Sequence, residues 1–244
     1  MKKIVLIAAL LSPMCLLGQN VQLHHDFGKT IYDGQTKNLS LRPQTTSTIE
    51  HFNADKFGSW YYFADLDYNN GVSAAYWEIS RELCFWKDSP LNWLSFHSEY
   101  NGGCNAATST KYNDAWLFGG TYSGHNSDFS KTWSLSLMYK YIRHNTDSNG
   151  NDAFHNFQIT GVWGLNFFAN KFTFSGFFDF WKEYYAWQNT DYIFLSEPQV
   201  WFNFYALERL KDFKLSVGGE VELSNNFVGK GFYAVPTVAL KWTF

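Results

Sequence analysis

Between Thr45 and Leu83 the chain reads TTSTIEHFNADKFGSWYYFADLDYNNGVSAAYWEISREL, three strand-like runs joined by the polar turns NADKFG and YNNG. The runs are aromatic and apolar, yet Glu50, Asp65, Glu78 and Glu82 recur inside them. A soluble sheet seldom places so many carboxylates there, because each charge taken out of water costs on the order of several kcal/mol. A closed barrel tolerates them: its inward positions face water and its outward positions face lipid.

From Val21 onward the dominant period is two. In VQLHHDF, Val21, Leu23 and Phe27 fall on one face and Gln22, His24 and Asp26 on the other, with His25 on the apolar side. A polar loop follows over 28–44. Strands are then expected at Thr45–Asn53, Ser59–Asp67, Val72–Trp86, Trp93–Tyr100, Ala115–Ser123, Thr132–Arg143, Ala153–Phe167, Lys171–Lys182, Asp191–Leu207, Phe213–Ser224 and Gly231–Phe244. The expected class is all-β: a closed antiparallel transmembrane barrel of about twelve strands, an even number as in bacterial outer-membrane barrels. Connections after the first, fifth and seventh strands are long, and those after the second, eighth and tenth are short. That alternation puts both termini in the periplasm. The short YNNG and the eight-residue GHNSDFSK depart from it.

The beginning, MKKIVLIAALLSPMCLLGQN, has a basic n-region at Lys2 and Lys3, an apolar stretch from Ile4 to Leu17 and a small residue at Gly18. It reads as a signal peptide over 1–18, leaving 19–244 as one barrel domain. A lipoprotein anchor at Cys15 is disfavoured by the preceding Ser12-Pro13-Met14. Later in the chain no apolar run reaches the length of about eighteen residues that a membrane helix needs. Aromatic residues are 20% of the chain while its mean hydropathy is slightly negative. Apolar girdles alternating with a wet interior produce that combination. The net charge is −3, and losing Lys2 and Lys3 makes the chain more acidic, so nucleic acid is not an expected partner. Cys84 and Cys104 are expected at opposite ends of the barrel, unbonded. The final strand carries Val238, Leu240, Trp242 and Phe244 on one face. An apolar dyad repeat ending in Phe244 resembles the signal read by the outer-membrane insertion machinery.

The wording E-H-F (Glu50–Phe52), Y-x-F-A-D (Tyr61–Asp65) and W-E-I-S-R (Trp77–Arg81) resembles the Tsx family of nucleoside-specific outer-membrane channels. The resemblance covers well under half the chain. It implies passive diffusion of nucleosides through a narrow lumen, without a cofactor, and carries Glu50, Phe52, Phe63, Asp65, Glu78 and Arg81 over as lining residues. In this chain the last motif continues directly to Glu82, where the family is expected to hold a further acidic residue and a proline.

Alternation alone adds Tyr61 and Glu82 to that lining, with Tyr76, His97, Glu99, Lys140, Asp179, Trp181, Glu197, Trp201, Tyr205, Lys214, Glu220, Glu222 and Lys241 among others. Rings that stack on a base, beside carboxylates that bind sugar hydroxyls, suit a flat polar solute. Opposite charges that pair and fill the bore are the plainer alternative. Strict counting puts Arg81 on the lipid face, and a β-bulge near Ser80 is expected to turn it inward. A second class, an outer-membrane acyl hydrolase, has His125 and Ser127 as an H-x-S pair, though in a turn rather than on a strand. His24 and His25 point to opposite strand faces. With His97 they read as solvated or girdle histidines, not as metal ligands.

Overall fold

The computed structural model describes residues 19–32, 42–106, 109–112, 114–185 and 189–244; the expected signal peptide lies outside them. The strands are β1 (Gln19–Asp26), β2 (Thr45–Asp55), β3 (Gly58–Tyr68), β4 (Val72–Leu83), β5 (Leu94–Asn105), β6 (Thr110–Lys111), β7 (Ala115–His125), β8 (Lys131–Ile142), β9 (His155–Phe167), β10 (Phe172–Tyr185), β11 (Thr190–Ser196), β12 (Gln199–Asn203), β13 (Leu215–Asn225) and β14 (Phe232–Thr243). All neighbours are antiparallel, and β1 pairs with both β2 and β14, which closes the wall. The two-residue β6 only extends β5, and β11 and β12 share one place between β10 and β13. The result is a closed twelve-strand antiparallel barrel. Among the described residues no helix is long and apolar enough to cross a membrane.

Alternation fixes which side chains look inward. On β1, Gln22, His24 and Asp26 are buried while Leu23 and His25 are exposed. In register with them, Thr46, Thr48 and Glu50 continue inward on β2, and Phe63, Asp65 and Asp67 on β3. The largest fully buried apolar side chains, Trp201, Leu117, Met138, Ile142, Ile193 and Val235, belong to this inward set. The core therefore lies inside the barrel and fills part of the bore, as the narrow diameter of such a barrel demands.

Outside, the aromatics form two belts. Near the chain termini, Trp93, Tyr122 and Trp133 touch in series, as do Phe168, Phe172, Phe202, Phe204, Phe213 and Trp242. At the far end Tyr100, Trp116, Tyr141 and Phe154 form one run, and Phe157, Phe180 and Tyr192 another. Amphipathic rings at two levels flanking an apolar band are the outer-membrane pattern.

Arg81 corrects the sequence reading. The β3–β4 register runs unbroken through Trp60↔Arg81 and Tyr61↔Ser80, so no bulge turns Arg81 into the lumen. It stays on the outer face, bonded to Asp55 Oδ1 at 2.9 Å and lying over the Trp60 ring at 4.9 Å. Position removes the need for a bulge. An outward charge costs about 2–4 kcal/mol at the midplane but only about 0–1 near the interface, and Arg81 lies close to the end of β4. Arg81→Leu is accordingly expected to change folding stability in lipid vesicles by about 1 kcal/mol or less. A gain of several kcal/mol in urea titrations would place Arg81 in the hydrocarbon instead.

Other boundaries also differ. The run Asn101–Asn105, read as the start of a loop, continues β5. The expected strand Asp191–Leu207 is broken at Glu197–Pro198 and ends in short 3-10 turns at Phe204–Ala206 and Glu208–Leu210. Tyr205 and Lys214 consequently sit at the rim, with Lys214 exposed, and not in the bore. Cys84 follows β4 at the terminal end and Cys104 lies on the far part of β5; both are free, as expected.

Candidate functional site

Three of the polar groups that line the bore are assembled from inward positions of neighbouring strands. In the first, Glu50 accepts hydrogen bonds from Tyr61 Oη at 2.8 Å and Gln22 Nε2 at 2.6 Å. Gln22 Oε1 meets His24 Nε2 at 2.9 Å, and His24 Nδ1 faces Glu220 Oε1 at 3.3 Å. Gln199 Nε2 donates to Glu220, and Trp201 Nε1 donates to Gln199. Lys241 lies over the Trp201 ring at 4.0 Å. The chain of contacts thus crosses the β1–β14 junction, which covers the polar cost of burying these groups.

The second group centres on Glu82, which accepts from His97 Nδ1 at 2.6 Å, Thr121 Oγ1 at 2.9 Å and Ser95 Oγ. His97 Nε2 faces Glu99 Oε2 at 3.1 Å. In the third, Lys140 Nζ donates to Gln158 at 2.7 Å, and Gln158 and Thr160 both donate to Asp179. Tyr76 Oη donates to Glu78 at 2.6 Å.

These contacts overturn the reading of His24 and His97 as solvated or girdle residues. They are 5% and 6% exposed and each faces a carboxylate inside the bore. Of these three histidines, His25 alone is exposed, on the outer face. Among the described residues no group of three or more His, Cys, Asp or Glu is arranged to hold a metal ion.

The sequence-derived lining residues are placed as follows. Glu50, Tyr61, Phe63, Asp65, Glu78 and Glu82 share the inward face of β2, β3 and β4. The rings of Tyr61, Phe63 and Tyr76 form a ladder along this wall, with centroids 6.1 and 5.9 Å apart. Phe52 stands beyond Glu50 toward the terminal rim and is half exposed. Arg81 is outside. Glu50, Asp65 and Glu78 on this wall, and Glu99 and Asp179 on β5 and β10, are half-buried rather than fully covered.

Sequence reasoning misses Arg42 altogether. It lies in the loop before β2 and reaches inward, with Nε on Asp26 Oδ2 at 2.9 Å and Nη2 on Glu222 Oε2 at 2.8 Å. Burial alone would lower its pKa, but Glu222 and Asp26 more than offset this and raise it, so the cation is permanent. A single arginine in an irregular polar loop carries no periodic signal.

His125 and Ser127 do not form a dyad. His125 Nδ1 bonds the Asn126 carbonyl at 2.8 Å and its ring stacks on Phe129 at 4.0 Å, while Ser127 is exposed in the turn.

Residues 18–244 match the family described as "Domain of unknown function (DUF5020)". No curated protein matches in sequence. Among solved structures the chain is similar to the NanC porin, at 7% identity and a TM-score of 0.58, over 93% of this chain and 100% of that one. It is also similar to LpxR from Salmonella typhimurium, at 7% identity and a TM-score of 0.47, over 93% and 99%. At these identities the likeness concerns the fold.

Proposed function

We propose a function for this chain, which belongs to the DUF5020 family: an outer-membrane channel for passive diffusion of small polar solutes, with nucleosides the favoured cargo. The observation that carries this is the partly wet wall where the Tyr61, Phe63 and Tyr76 rings alternate with the Glu50, Asp65 and Glu78 carboxylates. A flat base slides along the rings while its sugar hydroxyls bond the carboxylates. Binding at each step stays weak enough for release, which conduction requires. The likeness in fold to a porin supports the reading.

The longer connections over 27–44, 106–114 and 143–154 are then extracellular, and the termini periplasmic. Outer-membrane lipid contacts the aromatic belts, and the insertion machinery reads β14 with its terminal Phe244. The hydrolase reading loses its support with the exposed Ser127.

Liposome swelling tests the channel. Nucleosides are expected to enter faster than sugars of equal size. Asp65→Asn should reduce that preference roughly fivefold, the equivalent of one hydrogen bond of about 1 kcal/mol, while insertion is unchanged. If no solute enters, the channel reading is abandoned.

A further inference from the structure

We infer that Tyr112 is the entry step of the bore: it carries the ring ladder of the inner wall out to the mouth and selects there for solutes that bear a flat ring. This rests on the channel reading and adds the residue at which a nucleoside is first told from a bare sugar.

The ladder does not stop at Tyr76. The Tyr112 ring lies 6.3 Å from that of Tyr76, centroid to centroid, a step of nearly the same size as those from Tyr61 to Phe63 and from Phe63 to Tyr76. Each step is within the distance at which aromatic rings attract one another. The rings climb the wall from one end of the barrel to the other. Tyr61 lies near the start of β3, Phe63 is the next inward residue on that strand, and Tyr76 stands opposite Asp65 on β4. Tyr112 follows β6, in the connection between β5 and β7 at the far end. Backbone pairing fixes it there. Cys104↔Lys111 and Asn105↔Thr110 join the returning chain to the upper part of β5, and the Tyr112 amide donates to the Gly103 carbonyl at 3.1 Å. Gly103 is itself opposite Tyr76. It is buried, and a Cβ there would collide with the Tyr112 ring and the Ala75 carbonyl. The bare backbone is thus a notch that seats the ring beside Tyr76.

Rings that only fill space are covered, as Trp201 is; Tyr112 is 39% exposed. Tyr61 and Tyr76, half-buried below it, have their hydroxyls engaged by Glu50 and Glu78 at 2.8 and 2.6 Å, which leaves the rings themselves to meet a solute. A nucleobase of any identity stacks on such rings, because each has a π-face. A base resting on Tyr112 meets Tyr76 before it leaves Tyr112, so it is never without a partner between water and the middle of the bore. Tyr112 thereby lowers the barrier at which the base sheds its water, and the succession of weak sites is what passage needs. A sugar without a base lacks that face and gains no such help.

Uptake of adenosine and of ribose by liposomes holding the full barrel tests this, since the two share a sugar and differ by the base. Tyr112→Ala is expected to slow adenosine roughly fivefold, the low end of what one stacking ring gives a base, and to leave ribose unchanged. Tyr112→Phe and Tyr112→Trp keep a ring and should keep the native adenosine rate, a rescue that a folding defect cannot imitate. If Tyr112→Ala passes adenosine as fast as the native barrel, or changes both solutes alike, the entry role of Tyr112 is overturned and the channel reading stands without it. The same holds if Tyr112→Phe behaves like Tyr112→Ala. A native barrel that passes the two solutes equally overturns both this inference and nucleosides as the cargo. A native barrel that passes neither overturns the channel as well.

Discussion

Gly176→Val is expected to yield little or no closed barrel on refolding in detergent. Gly176 has φ +154°, a region that side-chain-bearing residues rarely enter, and it lies opposite the break between β11 and β12. A Cβ there would lie 2.4 Å from the Glu197 carbonyl oxygen and 3.0 Å from Pro198 Cα, both backbone atoms that cannot rotate away. The break itself follows from Pro198, which offers no N–H to a ladder. Glu197 N and Ser196 Oγ instead both bond the Phe177 carbonyl, and the Pro198 carbonyl accepts from Val221. The strained φ and the clash together cost about 3 kcal/mol or more. Loss of the heat-modifiable band on cold electrophoresis is the readout. A Gly176→Val barrel as abundant as the native one would mean that this kink is relaxed.

Trp201→Ala is expected to widen the bore and destabilise the fold together. Trp201 is fully buried, facing inward between Thr173 and Gly218. It meets the His24 ring edge-on at 6.0 Å and carries Lys241 on its face. Truncating a buried tryptophan costs about 3–5 kcal/mol, and the lower figure applies here because water can enter the space from the bore. The freed Lys241 then points its charge toward the axis. Larger sugars should therefore enter liposomes faster, and the midpoint of urea unfolding should fall. An unchanged size limit would show that the narrowest point lies elsewhere.

How legible this is in the sequence depends on how regular each residue's surroundings are. Tyr61, Phe63 and Asp65 are readable because β3 alternates without interruption beside equally regular neighbours. Arg81 is misread because alternation says which face a residue takes but not its depth, and depth decides what a charge costs. The sequence NGGCN looks like a turn, yet it continues β5. Its glycines serve packing: a Cβ on Gly103 would lie 2.4 Å from the Tyr112 ring, and one on Gly102 would lie 2.8 Å from Tyr100 Oη. Pro198 is visible in the sequence and signals the break, but the apolar run around it hides the signal. His24 and Arg42 find Glu220 and Glu222 on β13, far away in sequence and beyond any local pattern, whereas His97 meets Glu99 on its own strand and Glu82 on the strand before it.

The junction between β1 and β14 has a further consequence. Asn20 lies opposite Thr243, and the Phe244 amide bonds the Gln19 carbonyl at 3.0 Å, so the wall is sewn shut between β1 and β14, the strands furthest apart along the chain. No nascent fragment has this seam, and each would expose two unsatisfied sheet edges. Assembly must therefore wait for the whole polypeptide, which has to be kept from aggregating until its last strand arrives.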